Sequence, residues 1–275
     1  MEQAARRYLL LNSDNIATET NMALTVGQVV KHPANPLFVE DNPWEQRFDN
    51  LYGNVIFDPN EGLYRCWYSP FIIAHSANGL SLEERLAVPF EAHEHQEMGV
   101  CYAESRDGIH WEKPDLGQVE YDGNTHNNLV MRTVHGAGIL KDYNHPDSSQ
   151  RYKSIFQGLK VSLSPDGIAW SNPKKINCAL AGDTHNNAIW VSGLNKYVAF
   201  TRDWVKTDRD IKGVESKLNH SWCRQVARIE SSDFVNWSAS QVVIECDCWE
   251  VQPYSMAVFE HAGIYLGLVV FHDQV

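Results

Sequence analysis

No apolar run in this sequence approaches the roughly 18 residues that would carry a helix across a bilayer, and no membrane partner is expected. Basic side chains are the scarcer charges: Lys and Arg number 23 against 35 Asp and Glu, a formal net charge of −12. That balance excludes nucleic acid as the expected partner, because no basic field is available to displace counterions from phosphates. Paired C-x-x-C clusters are also missing. The six cysteines, Cys66, Cys101, Cys178, Cys223, Cys246 and Cys248, stand at spacings unlike those of structural zinc sites, so no metal and no other cofactor is expected. Cys246-x-Cys248 reads as two small apolar residues on a strand rather than a redox pair, and a reducing compartment is the simpler inference. The opening MEQAARRYLLLNSDN has two Arg but too short an apolar stretch for a secretory signal. A cytoplasmic setting is the expectation, with a processed N-terminus as its alternative. Oligomeric state is not legible.

Helical periodicity is equally sparse. Only SLEERLAVPFEAHEH, residues 81–95, reads as a turn or two of helix, interrupted by Pro89. The HEH at 93–95 has the wrong spacing for the metalloprotease helix H-E-x-x-H.

What the sequence has in quantity is aromatic and β-branched residues in short runs between Gly, Asn, Asp and Pro turns, the mark of antiparallel strands. Aromatics make up 11%, with nine Trp. Four hairpins can be laid over one another: Val55–Phe57 with Leu63–Tyr68, Gly138–Leu140 with Arg151–Phe156, Ala188–Trp190 with Lys196–Phe200, and Ala257–Phe259 with Ile264–Val270. In the first three a third strand follows (MGVCYAES, LKVSLS, QVARIES). A Ser-x-Asp phrase comes directly after it: SRDGIHW from Ser105, SPDGIAW from Ser164 and SSDFVNW from Ser231. The phrase predicts a turn in which Asp accepts from nearby backbone N–H groups and Gly supplies a positive φ, with the Trp packed between repeats. Asp107, Asp166 and Asp233 are therefore structural rather than catalytic candidates.

A repeat of four antiparallel strands is the unit of a β-propeller. The expected fold is all-β, a five-bladed propeller that is incomplete in this chain. It comprises N-terminal closure strands in 1–44 (around YLLLNS and NMALTVGQVV), blades at 45–122, 123–178 and 179–245, and the start of a further blade at 246–275.

The stretches HPANPLF, NPWE, NVIFDPNEGLYRCWY, ESRDGIHWEKPDLG, KDYNHPDSSQRYKSIF and SPDGIAWS resemble the five-bladed propeller glycosidases, the invertase, levanase and arabinanase superfamily of glycoside hydrolase families 32 and 43. The resemblance covers nearly the whole chain and implies a carbohydrate substrate. It also implies three acids at the leading ends of successive innermost strands: an Asp nucleophile or base, an Asp that orients the sugar, and a Glu general acid. Hydrolysis of a glycosidic bond requires one ionised and one protonated carboxyl on either side of the anomeric carbon.

At the corresponding positions stand Asp49 in RFDNLYGN, Asp183 in GDTHNNA and Glu250 in WEVQPYSM. The second repeat, RTVHGAG, offers no acid, only Arg132 and His135. Asp49 is the candidate nucleophile or base, or else a turn residue. Asp183 is the orienting carboxylate, or one member of a polar group bonded among itself. Glu250 is the candidate acid, or a loop carboxylate. Candidate sugar contacts are Trp44, which stacking or core packing explains equally, and His135, His185 and Tyr254. Arg47 is the candidate for a uronate carboxylate. The family motifs Asn-Asp-Pro-Asn-Gly, Arg-Asp-Pro and Glu-Cys are not reproduced at these places. Glu245, in the late Ile244-Glu245-Cys246, reads as a strand residue, and Asp142 as a turn residue on the opposite rim. The leading expectation is a glycoside hydrolase. Its alternatives are a non-catalytic propeller binding a glycan or protein, or a glycoside phosphorylase, for which only Arg132, His135 and His185 are placed to meet phosphate.

Overall fold

The computed structural model describes residues 9–77, 79–89, 95–206, 222–246 and 251–273. Alternation in NVIFD and LYRCWY forms the first hairpin, β1 (Asn54–Asp58) against β2 (Leu63–Tyr68). After β3 (Phe71–Ala74) comes a short helix, α1 (Leu82–Ala87), started by a capping box in which Ser81 and Glu84 satisfy each other's backbone N–H groups. Next follow β4 (Gln96–Ser105) and β5 (Leu129–Arg132). β4 is long enough to bond β2, β3 and β5 along its length, giving the order β1-β2-β4-β3 with β5 also on β4.

The second sheet is β6 (Gly138–Lys141), β7 (Tyr152–Phe156), β8 (Lys160–Ser164) and β9 (Lys174–Lys175), paired in that order. The third repeats it with β10 (Asn187–Val191), β11 (Lys196–Lys206), β12 (Trp222–Ser231) and β13 (Gln241–Ile244). A final hairpin joins β14 (Val251–His261) to β15 (Ile264–Asp273). The leading strands lie side by side, β1 next to β6, β6 next to β10 and β10 next to β14. Their leading ends consequently gather in one place.

The core lies between sheets. Trp67 and Tyr102 of the first sheet pack with Ile139, Tyr152 and Phe156 of the second. Leu140 and Ile155 of the second pack with Ala188, Tyr197 and Ile229 of the third. Burying each such side chain contributes about 1.5–3 kcal/mol. At the far rim, polar latches repeat the pattern. The buried carboxylate of Asp58 is paired with Lys141 of the next sheet, and Asp142 accepts a 2.5 Å hydrogen bond from Tyr197 of the sheet after that. Asp142 is thus the rim residue the sequence indicated.

The Ser-x-Asp turns are superimposable in their bonding. Asp107 Oδ1 accepts from the N–H groups of Ile109 and His110, Asp166 from Ile168 and Ala169, and Asp233 from Val235 and Asn236. Each Trp indole, of Trp111, Trp170 and Trp237, donates back to a carbonyl three residues earlier. Trp170 and Trp237 sit at the two inter-sheet cores.

Two expectations are corrected. Residues 9–53 form no strand: the β-branched run at 21–30 pairs with nothing, and Val26, Val29 and Val30 are exposed. β-propensity without a partner edge does not make a strand. Glu245 lies just past the end of β13 rather than within it. β5, in the segment 129–132, belongs by its hydrogen bonds to the first sheet. The cysteines Cys66, Cys101 and Cys178 are free, while Cys248 lies outside the described residues. Among the described residues no group of His, Cys, Asp and Glu is arranged to hold a metal, and no helix is long and apolar enough to cross a membrane.

Candidate functional site

Close backbone approach assembles the leading ends. A Cβ at Gly138 would lie 1.4 Å from the Asn186 carbonyl oxygen, and one at Gly136, where φ is +64°, 1.8 Å from that of Thr184. Only glycine permits this contact. Asn186 then closes it: its backbone N–H and its side-chain amide both donate to Gly136 O, at 3.0 and 2.9 Å. Asn54 performs the matching task one repeat earlier. It donates to Ala137 O at 2.9 Å and accepts from Ile139 N–H at 3.0 Å. Asn187 accepts from Val258 N–H at 2.9 Å, tying β10 to β14.

These joints bring together side chains from all four repeats. The Tyr52 hydroxyl lies 3.1 Å from His135 Nε2 and 3.4 Å from the Tyr254 hydroxyl. Its ring stacks on His185 with centroids 5.6 Å apart, and His185 Nε2 meets Asn54 Oδ1 at 3.2 Å. Arg202, whose side chain is 4% exposed, reaches Asp183 Oδ2 at 3.4 Å and donates to Tyr254 O at 2.9 Å. Its guanidinium lies 4.3 Å from the Tyr254 ring centroid. Arg224 lies 5.0 Å from the centroid of Trp204 and donates to Gln252 Oε1 at 3.2 Å. His272 stacks on the other aromatic partner, Tyr254, at 5.7 Å.

Burial dominates the electrostatics. It lowers His185 to about 4. Burial also lowers His135, opposed by Asp183 and assisted by Arg202. For His272 burial comes first, with Arg224 and Arg202 adding to it. The three imidazoles are therefore neutral near pH 7. Burial, and then the Tyr254 hydroxyl, lifts Tyr52 far above the ordinary phenol range, leaving a protonated hydroxyl able to donate to a ligand. Asp183 Oδ1 is buried with no hydrogen-bond partner, a costly state in a dry interior and one a ligand hydroxyl would relieve.

Of the residues singled out from sequence, Asp183, His135, His185 and Tyr254 stand together here. Asp49 does not join them: it is held by Arg47 at 2.6 Å, and among the described residues no hydrogen bond links it to this cluster. Arg47 is thereby occupied by its own neighbour. Trp44 is a packing residue, edge-on to Tyr121 and donating to Asn128 Oδ1 at 2.7 Å within the first-sheet core. Arg132 is engaged by both oxygens of Glu97, at 2.9 and 2.6 Å. Glu250 lies outside the described residues; Val251, which follows it, opens β14. Sequence reasoning missed Tyr52, Arg202, Trp204, Arg224 and His272. A cavity of about 560 Å³ lies between the same strands, further along them than the polar cluster, lined by residues that include Ile56, Leu140, Lys141, Asn187, Ile189 and Phe259. It has a mixed lining, with Lys141, Asn187 and Glu260 among apolar side chains, and none of the cluster's residues borders it.

No protein-family model matches the chain, and no curated protein matches it. Among solved structures it is similar to a fructofuranosidase from Schwanniomyces occidentalis (11% identity, TM-score 0.45, 76% of this chain and 36% of that one). It is also similar to an N-acetylgalactosamine deacetylase from F. plautii (13%, TM-score 0.48, 80% and 61%). A third is a glycosyl hydrolase from Bacteroides ovatus (15%, TM-score 0.46, 87% and 70%). The chain thus spans 36% and 61% of the length of the first two.

Proposed function

We propose that this chain is the greater part of a five-bladed propeller whose central mouth hydrolyses a glycosidic bond. The observation that carries the reading is Asp183. Its carboxylate is flanked by Arg202 at 3.4 Å, has one buried oxygen without a partner, and stands among Tyr52, His135, His185 and Tyr254. Side-by-side leading strands support the propeller arrangement.

The chemistry needs a carboxylate that stays charged and an acid that gives a proton to the departing oxygen. Asp183 takes the first role in this proposal, with its charge balanced by Arg202. Asp49, bound to Arg47, is given no part in the chemistry. Glu250, which lies outside the described residues, keeps the second role on its place in the sequence alone. The Tyr52 hydroxyl and the neutral histidines offer donors and acceptors to sugar hydroxyls, and aromatic rings supply stacking faces.

Assay of the 275-residue chain on a panel of aryl glycosides and oligosaccharides tests this. Asp183→Asn and Glu250→Gln are each expected to lower kcat by about 10²–10⁴-fold, and Asp49→Asn by much less. Unchanged turnover in Asp183→Asn overturns the assignment. Tight sugar binding with no turnover in the wild type would instead favour a non-catalytic glycan-binding propeller.

A further inference from the structure

Two guanidiniums of the polar cluster are poorly matched by carboxylates. Arg47, Arg65, Arg132 and Arg228 each have a carboxylate oxygen at 2.6 Å or less. Arg202, though buried, has Asp183 only at 3.4 Å. Arg224 forms no ion pair among the described residues, and its Nη1 meets the neutral Gln252 Oε1 at 3.2 Å. Both Nε atoms are buried with no hydrogen bond. The two cations are close enough to repel: after burial, Arg202 is the main influence lowering Arg224. The three nearby imidazoles are neutral, and no carboxylate of the described residues lies closer to either guanidinium than Asp183 does to Arg202.

The orientation of these groups is as informative as their charge. Arg202 lies over Tyr254 and Trp204, at 4.3 and 5.5 Å from their centroids. Arg224 lies over Trp204 and Tyr254, at 5.0 and 6.0 Å. Stacking fixes each guanidinium plane and leaves its N–H edge to point at an acceptor. Gln252, fully buried, anchors Arg224 through both its backbone N–H and Nη1. Holding two like charges side by side in a low-dielectric site is unfavourable unless an anion completes them, and a forked pair of donors matches a planar oxyanion.

We infer that Arg202 and Arg224 bind an oxyanion carried by the sugar substrate, a uronate carboxylate or a sulfate ester. The inference rests on the reading of this cleft as a sugar site and names its substrate class. A monoanion fixed to a sugar ring matches the paired donors, and the ring's hydroxyls then reach Asp183 and Tyr52.

Calorimetric titration of the wild-type chain with sodium glucuronate, glucose, inorganic phosphate and sodium sulfate, at matched ionic strength, tests it. Glucuronate is expected to bind about tenfold or more tightly than glucose, with affinity falling as NaCl is raised. Arg224→Gln is expected to abolish that preference, and Arg228→Gln, paired with Glu230 on the third sheet, to keep it. The wild-type arms need no variant to fold. Equal affinity for glucose and glucuronate overturns the inference. Phosphate binding well above glucuronate also overturns it, by making the anion a free co-substrate. Turnover of neutral glycans only, without anion preference, sinks this inference and leaves the sugar-cleaving reading standing. Glucuronate binding without turnover of any uronide does the reverse.

Discussion

The phenolic oxygen of Tyr52 lies 3.1 Å from Nε2 of His135, joining the segment before the first leading strand to the segment before the second. Tyr52 makes this contact from a left-handed backbone conformation, φ +43°, which costs a non-glycine residue about 1–2 kcal/mol. Strain of that kind persists where the surroundings hold it, and it concentrates at working sites. Tyr52→Phe keeps the ring that stacks on His185 and removes only the hydroxyl. Stability is expected to change by about 1 kcal/mol or less, while kcat on the best glycan falls about tenfold or more. Denaturation and steady-state kinetics on the same preparation separate the two effects; unchanged kcat would make Tyr52 a packing residue.

His185 links the cleft to acid stability. Its ordinary value near 6.5 is lowered by burial to about 4 in the fold, so the unfolded chain takes up the proton first as pH falls. The resulting stabilisation is complete above pH 6.5 and drains away between 6.5 and 4. Urea midpoints of the wild type should therefore drop more steeply across that window than those of His185→Gln. Parallel curves would show that His185 does not contribute in this way.

At the other rim, Asp58 and Lys141 form an ion pair with side chains 1% and 8% exposed. Removing one member strands the other in a poorly solvated place. Asp58→Ala should cost about 3–5 kcal/mol, read as a lowered urea midpoint. The double change Asp58→Leu with Lys141→Met should recover much of that loss. A cost below about 1 kcal/mol for the single change, the range of exposed pairs, would contradict the latch.

The repeated turns are not equivalent in their tolerance. At Gly167 a Cβ would stand 2.5 Å from Trp67 Cζ2, whereas at Gly108 the nearest atom, on Tyr64, is 3.7 Å away. Both have positive φ, +81° and +74°. Gly108→Ala should therefore cost about 1–2 kcal/mol of backbone strain. Gly167→Ala should cost about 1–3 kcal/mol more from overpacking against the indole. Thermal denaturation of the two variants gives the comparison, and equal shifts would mean that the Trp67 contact yields without cost.

The sequence carried the repeat because its hairpins and Ser-x-Asp turns are local: alternation sets the strands, and the Asp and Gly bond within a few residues of themselves. It also singled out Asp183, His135, His185 and Tyr254, which stand together near the starts of the leading strands, whereas Asp49, chosen by the same reasoning, turns to Arg47. Arg202, Trp204 and Arg224 were less legible because β11 runs on past its hairpin to Lys206, beyond the Lys196–Phe200 segment. A signal was present in TRDWV, where period two sets Arg202 and Trp204 on one face, and the register of β11 with β12 places Arg224 opposite Trp204. Tyr52 gave no local sign, because its left-handed conformation is imposed by its neighbours. The run at 21–30 misled for the opposite reason: its β-branched residues satisfy propensity, and no partner edge meets them.

The proposed sugar site lies where the leading strands begin. A crystal structure of the chain with a bound oligosaccharide, of the kind the glycan panel selects, tests it most directly. A sugar ring within hydrogen-bonding distance of Asp183 and Tyr52 is the predicted result. A sugar seated instead against Ile56, Ile189 and Phe259 further along the strands, or on an outer sheet face, would contradict it.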